Sequence, residues 1–137
     1  SVNALKKEIQ RAELLGIPYV VMHPGAHKGA GEENGIRKIA DGLKEVISDS
    51  PQNTKILLET TAGQGTSIGY RFEHLAEIME KVGIPERIGI CLDTCHIFSA
   101  GYDFRTEEQY EALIKELEKL IGIDYVFLIH MNDSKKE

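Results

Sequence analysis

Four short apolar runs recur along this chain at intervals of about 35 residues, and an amphipathic segment precedes each of them. The runs are Tyr19-Val20-Val21-Met22, Lys55-Ile56-Leu57-Leu58-Glu59, Ile88-Gly89-Ile90-Cys91-Leu92-Asp93 and Tyr125-Val126-Phe127-Leu128-Ile129. They are short, rich in β-branched residues and continuous instead of alternating, which predicts strands covered on both faces. The segments between them repeat apolar residues at helical three-and-four spacing, so each predicts a helix with one buried side. The first carries Val2, Leu5, Ile9, Ala12 and Leu15; the second Ile36, Ile39, Ala40, Leu43, Val46 and Ile47. The third carries Phe72, Leu75, Ala76, Met79 and Val82, and the fourth Tyr110, Leu113, Ile114, Leu117, Leu120 and Ile121. Gly16 with Pro18, Ser50-Pro51, Gly83 with Pro85, and Gly122 stop the helices, and Thr106-Glu107-Glu108-Gln109 fits a capping box at the start of the fourth.

The order α-β-α-β-α-β-α-β with continuous apolar strands predicts an α/β fold: a parallel sheet covered by helices through right-handed crossovers. The repeat length matches a (β/α)8 TIM barrel, whose roughly 250 residues divide among eight units. Residues 1–137 therefore read as a single domain of parallel (β/α) units, with four helices and strands near 19–23, 55–59, 88–93 and 125–130. No apolar stretch is long enough to span a membrane and no signal-peptide pattern opens the chain, so a cytoplasmic location is the expectation. Cys91 and Cys95 read as reduced thiols. The net charge of −6 argues against a simple basic nucleic-acid module. It leaves a nucleic-acid enzyme open, because a metal ion offsets carboxylates gathered around it.

Chemistry in parallel α/β folds sits where strands emerge from the core. Here the strand ends are His23, Glu59, Asp93 and His130, separated by 36, 34 and 37 residues. Each is an imidazole or a carboxylate, and none is Lys or Arg. His96 adds a further imidazole three residues past Asp93. A catalytic acid–base pair accounts for two of these residues but not for the whole set. A mixed imidazole and carboxylate set suits zinc, with manganese as a second choice, and Glu59 as a carboxylate can bridge two ions. The bland alternative is that Asp93 caps a helix and His96 is an ordinary loop histidine. His74 lies beside the apolar face of the third helix and reads as structural, while His27 reads as solvated. The glycines of Ala62-Gly63-Gln64-Gly65 either admit a phosphate close to the backbone or make turns. Lys135 and Lys136 read as a solvated tail.

Four motifs in this order carry a family likeness: His23-Pro24-Gly25; Leu58-Glu59-Thr60-Thr61-Ala62-Gly63-Gln64-Gly65; Leu92-Asp93-Thr94-Cys95-His96 with Ala100-Gly101-Tyr102-Asp103; and His130-Met131-Asn132-Asp133-Ser134-Lys135. Together they resemble the endonuclease IV family of zinc-dependent apurinic/apyrimidinic endonucleases. The resemblance implies a TIM barrel with three zinc ions at the C-terminal strand ends, cleaving double-stranded DNA 5′ to an abasic site in base-excision repair. It implies that His23 and Glu59 ligate one ion, that Glu59 bridges to a second shared with Asp93 and His130, and that His96 serves a third. Glu59, Asp93 and His130 then carry the catalysis, with a metal-bridging hydroxide attacking phosphorus.

The likeness covers the central half of such a barrel, with five of the nine expected ligands. The expectation for the isolated chain is therefore weak or absent nuclease activity, and self-association of the open half-barrel through its strand edges. Two other readings stand beside it. One is a xylose-isomerase-like sugar isomerase or epimerase, which also places His, Glu and Asp at strand ends around a divalent ion. The other is a non-catalytic half-barrel fragment whose ligands are idle.

Overall fold

The computed structural model describes residues 2–50 and 53–133. Pro51 of the second helix stop, Ser134, and the tail lysines Lys135 and Lys136 lie outside the described residues. In chain order the elements are α1 (Val2–Leu14), β1 (Tyr19–Met22), β2 (Gly25–Ala26), α2 (Glu32–Ser48), β3 (Lys55–Glu59), β4 (Ser67–Ile68) and α3 (Phe72–Val82). They continue with β5 (Ile88–Asp93), α4 (Thr94–Ser99), α5 (Glu107–Leu120), a 3-10 turn (Ile123–Tyr125) and β6 (Val126–His130). The four longer strands form one parallel sheet in the order β1-β3-β5-β6, and β2 pairs antiparallel with β4. This is the parallel α/β arrangement of part of a TIM barrel.

The helix boundaries follow local chemistry. Gly83 ends α3 in the left-handed region at φ 68°, its N–H donating to the Met79 carbonyl at 3.0 Å. Thr106 and Gln109 form the reciprocal capping box at the start of α5. Two features go beyond the sequence pattern. α4 is an extra helix, started by the Asp93 side chain accepting from the His96 N–H. The β2–β4 ladder is two residues long, too short to leave any periodicity in the sequence.

One face of the sheet packs on the helices. Ile56, Leu58, Ile88 and Ile90 meet Ile9, Ile36, Leu43, Leu75 and Ile78, all buried. Each such side chain contributes about 1.5–3 kcal/mol by leaving water. A second cluster, Phe72, Leu92, Ile97, Leu113 and Leu117, seats α5 and α4 against β5. No helix among the described residues is long and apolar enough to cross a membrane.

The other face is concave. β1 and β6 are separated by two strands, about 14 Å in a flat sheet, yet the Tyr19 and Phe127 rings lie 5.7 Å apart. The sheet is rolled, and Gly89 at its centre leaves the space. A Cβ on Gly89 would stand 2.4 Å from Phe127 Cδ2 and 3.0 Å from Leu57 Cδ2. Gly89→Ala is therefore expected to lower stability by about 1–3 kcal/mol in urea denaturation, through overpacking. Adding Phe127→Leu should recover part of that loss, whereas a neutral Gly89→Ala would contradict the contact.

Candidate metal centre

Strand register delivers the donor side chains. β1 and β3 run in parallel with Met22 opposite Leu58, so His23, one residue past the strand, arrives beside Glu59. β3 and β5 pair with Glu59 opposite Cys91, and two residues on, Asp93 returns to the same concave face. β6 needs an adjustment. Its register starts with Val126 opposite Ile90, which would bring Ile129 alongside Asp93 if it ran straight. A one-residue shift after Ile90 puts Leu128 opposite Cys91 and His130 opposite Asp93. Because side chains alternate faces along a strand, that single residue decides whether an isoleucine or an imidazole meets the carboxylates.

The five side chains converge. His23 Nε2 lies 3.2 Å from Glu59 Oε2, and His130 Nδ1 lies 3.0 Å from Glu59 Oε1 and 3.8 Å from Asp93 Oδ2. The His23 and His96 rings meet edge-on, 5.5 Å between centroids. Two groups of three donors form, His23–Glu59–His96 and Glu59–Asp93–His130, each with its donor atoms within 4.8 Å of one another. Glu59 belongs to both. Tetrahedral zinc with ligands at about 2.0–2.1 Å needs donors about 3.3 Å apart, close to these separations. Charge makes the same point. Glu59 and Asp93 are 8% and 1% exposed, yet among the described residues neither forms an ion pair with Lys or Arg, only with imidazoles. Two buried carboxylates this close, without a fixed cation, are a donor set fitted to a divalent ion.

Neighbouring groups hold these side chains still. Asp93 Oδ1 accepts from the His96 N–H at 2.9 Å, Asp93 Oδ2 accepts from Asn132 Nδ2 at 2.7 Å, and the Asp93 N–H donates to Thr60 Oγ1 at 2.9 Å. Burial pushes the Asp93 carboxyl up, but the bonds from His96 and Asn132 and the imidazoles nearby outweigh it and leave its pKa below the ordinary value. His96 Nδ1 donates to the Thr60 carbonyl at 2.8 Å and lies 3.5 Å from Glu59 Oε1, which fixes the ring beside the carboxylate. Thr94 Oγ1 donates to the Asn132 carbonyl at 2.6 Å and accepts from the Asn132 N–H at 2.9 Å, tying the end of β6 to α4.

All five residues singled out in the sequence as ligands meet in one place. His96 stands with His23 and Glu59 instead of apart from them, because α4 begins directly after Asp93 and its first turn folds the ring back over the rim. Asp93 is both a helix cap and a candidate ligand, one oxygen serving each role. His74 is buried away from the donors, and half-buried His27 accepts from the Gly29 N–H in its own turn at 3.2 Å. The glycine loop walls a cavity of about 410 Å³ lined by His23, Thr61, Ala62, Gln64, Ser67 and His96. Thr60, Thr94 and Asn132 lie inside the four motifs, but nothing in their sequence pattern marks the supporting roles they take here.

This fold places a candidate metal site at the strand ends of a TIM-barrel-type sheet. The chain belongs to the xylose isomerase-like TIM barrel family, which matches residues 1–137. Within that family it is similar to endonuclease IV proteins. The probable endonuclease 4 of Chloroflexus aurantiacus is 51% identical across 100% of this chain and 48% of the relative. Endonuclease IV from Thermus thermophilus superposes with a TM-score of 0.80 at 33% identity, over 98% of this chain and 46% of that one. The IolI protein, whose crystal structure carries a zinc atom, gives a TM-score of 0.73 at 25% identity over 96% of this chain and 44% of its own. The chain spans about half the length of these relatives.

Both cysteines are free thiols, Cys91 buried and Cys95 half-buried. Burial, with Glu59 and Asp93 adding to it, pushes the Cys91 thiol up from 9.0 to about 11, which cuts its thiolate fraction about 100-fold. A thiol reagent at pH 8 should therefore modify Cys95 and leave Cys91 intact in the folded chain. Equal rates would contradict the buried position of Cys91.

Proposed function

We propose that this chain carries the Glu59-centred part of a zinc-dependent apurinic/apyrimidinic endonuclease site, which hydrolyses the DNA phosphodiester 5′ to an abasic site in base-excision repair. The observation that carries it is the position of Glu59 at the junction of two three-donor groups. The likeness to endonuclease IV proteins along the whole chain supports it. His23, His96 and Glu59 would hold one zinc, and Glu59, Asp93 and His130 a second, with manganese the alternative ion. Zinc bound there supplies a nucleophile near neutral pH and stabilises negative charge on a phosphoryl oxygen.

The chain's own residues do the rest. Thr60 and Asn132 hold His96 and Asp93 in orientation, and the buried apolar floor around Leu57 and Cys91 keeps water from competing beneath them. The glycine loop over 62–65 lets backbone approach a bound strand at the cavity wall. The partner is double-stranded DNA in the cytoplasm, and the charge of −6 is compensated locally by the bound ions.

The test is zinc content together with cleavage of an abasic-site duplex. The 137-residue chain should bind zinc and turn over slowly, because it spans about half the length of the endonuclease IV relatives. Glu59→Gln should remove most of the zinc and lower any cleavage more than about 100-fold. Cleavage that persists in Glu59→Gln, or sugar isomerisation without nicking, would overturn the proposal.

We also infer that the 137-residue chain on its own self-associates. β1 and β6 each present an edge unpaired by any described strand, and Ile129 and Met131 beside one of them are 52% and 83% exposed. Sedimentation at micromolar concentration should show dimers or larger species, and a well-folded monomer would count against this.

A further inference from the structure

Outside the donor set, a connected polar group among the described residues centres on His74, 5% exposed on α3. Its Nδ1 accepts from the Gly69 N–H at 3.3 Å, so the ring proton sits on Nε2, which donates to Glu32 Oε2 at 3.2 Å. The Tyr70 hydroxyl donates to the other Glu32 oxygen, and the Tyr70 ring meets His74 edge-on at 4.8 Å. The bond from Tyr70, with the nearby imidazole adding to it, holds the Glu32 carboxyl below its ordinary range. A carboxylate aligned on an imidazole resembles the acid–base part of a nucleophile triad. The place of the nucleophile is taken by a backbone amide, so the group has no substrate chemistry to perform. What it can do is hold that amide in position.

Gly69 is placed where holding it matters. Its backbone has φ +102°, and a Cβ there would lie 3.0 Å from Pro24 Cγ and 3.5 Å from the Glu59 carbonyl oxygen. Pro24 follows His23 directly, so Gly69 is wedged between the residue after one donor and the backbone of the other. The Gly69 carbonyl accepts from the Thr61 N–H at 3.0 Å, and Thr61 Oγ1 donates to the Ile68 carbonyl at 3.1 Å. The β2–β4 ladder, Gly25 opposite Ile68, joins the loop after His23 to the loop after Glu59 at the same point.

We propose that His74 is a positioning residue for the His23–Glu59 donor pair, acting through the Gly69 amide, with Glu32 and Tyr70 fixing its ring. The consequence for zinc rests on the metal reading above; the consequence for the loop does not. Three substitutions separate the two ends of the imidazole. The Asn amide oxygen reaches the place of Nδ1, so His74→Asn retains the acceptor for Gly69 and gives up Glu32. His74→Gln reaches the place of Nε2, retaining Glu32 and giving up Gly69. His74→Leu keeps the bulk and loses both.

The experiment measures, on the 137-residue chain, amide hydrogen exchange at Gly69 and Thr61 without metal, and zinc affinity by competition with a chromophoric chelator. His74→Gln and His74→Leu should speed exchange at both amides and weaken zinc binding about 10-fold, the usual scale for a group supporting a ligand. His74→Asn should stay near wild type in both. Wild-type exchange in His74→Gln overturns the proposal whatever the metal result, as does equal loss in His74→Asn and His74→Gln. Failure of all three variants to fold makes His74 an ordinary core residue and overturns it as well. Absence of zinc binding in the wild-type chain contradicts the metal reading instead, and the exchange pattern still decides the role of His74 in holding the loop.

Discussion

Glu59 and Asp93 are buried at the C-terminal edge of a rolled parallel sheet, and the charged groups that face them are imidazoles. Two carboxylates in that position repel each other and are costly to desolvate unless something positive is shared between them. His23, His96 and His130 face them, and no Lys or Arg pairs with either carboxylate among the described residues. A divalent ion, as proposed above, would supply that positive charge. The Asn132 amide, the Thr60 hydroxyl and carbonyl, and the capping N–H of His96 hold Asp93 and His96 toward that position.

The sheet has to be built to a tolerance of one residue for this to work. In-register pairing of β1 with β3 brings His23 to Glu59, and the shift in β6 turns His130, instead of Ile129, toward Asp93. On the same concave face, below the donors, Gly89 gives Phe127 room to approach Tyr19, which lets the sheet roll and draws the strand ends inward. Packing and chemistry are thus one problem in this fold: the curvature that closes the floor also gathers the donors.

Much of this was legible from the amino acids because it is periodic. Buried parallel strands are continuous apolar runs, helices carry one apolar face, and a repeat of about 35 residues brings each strand end to the same rim. His23, Glu59, Asp93 and His130 stand out on that period alone. The β6 shift left no trace, since Val126 to His130 reads the same in either register. Nor did the β2–β4 ladder, at two residues per strand. α4 is only six residues long and carries no helical repeat of its own, and Asp93 both caps it and stays a candidate ligand because its two oxygens allow both. His74 could be recognised as structural from its place on an apolar helix face. Its partners, Glu32 and the Gly69 amide, are 42 and 5 residues away in sequence and meet it only in the folded chain.

Whether Glu59 is shared between two ions, as proposed, is decided by anomalous diffraction at the zinc edge from crystals of the zinc-loaded protein. Two peaks are expected on either side of the Glu59 carboxylate, one beside His23 and His96 and the other beside Asp93 and His130. A single peak that leaves one of these groups empty, or zinc located away from Glu59, would contradict it.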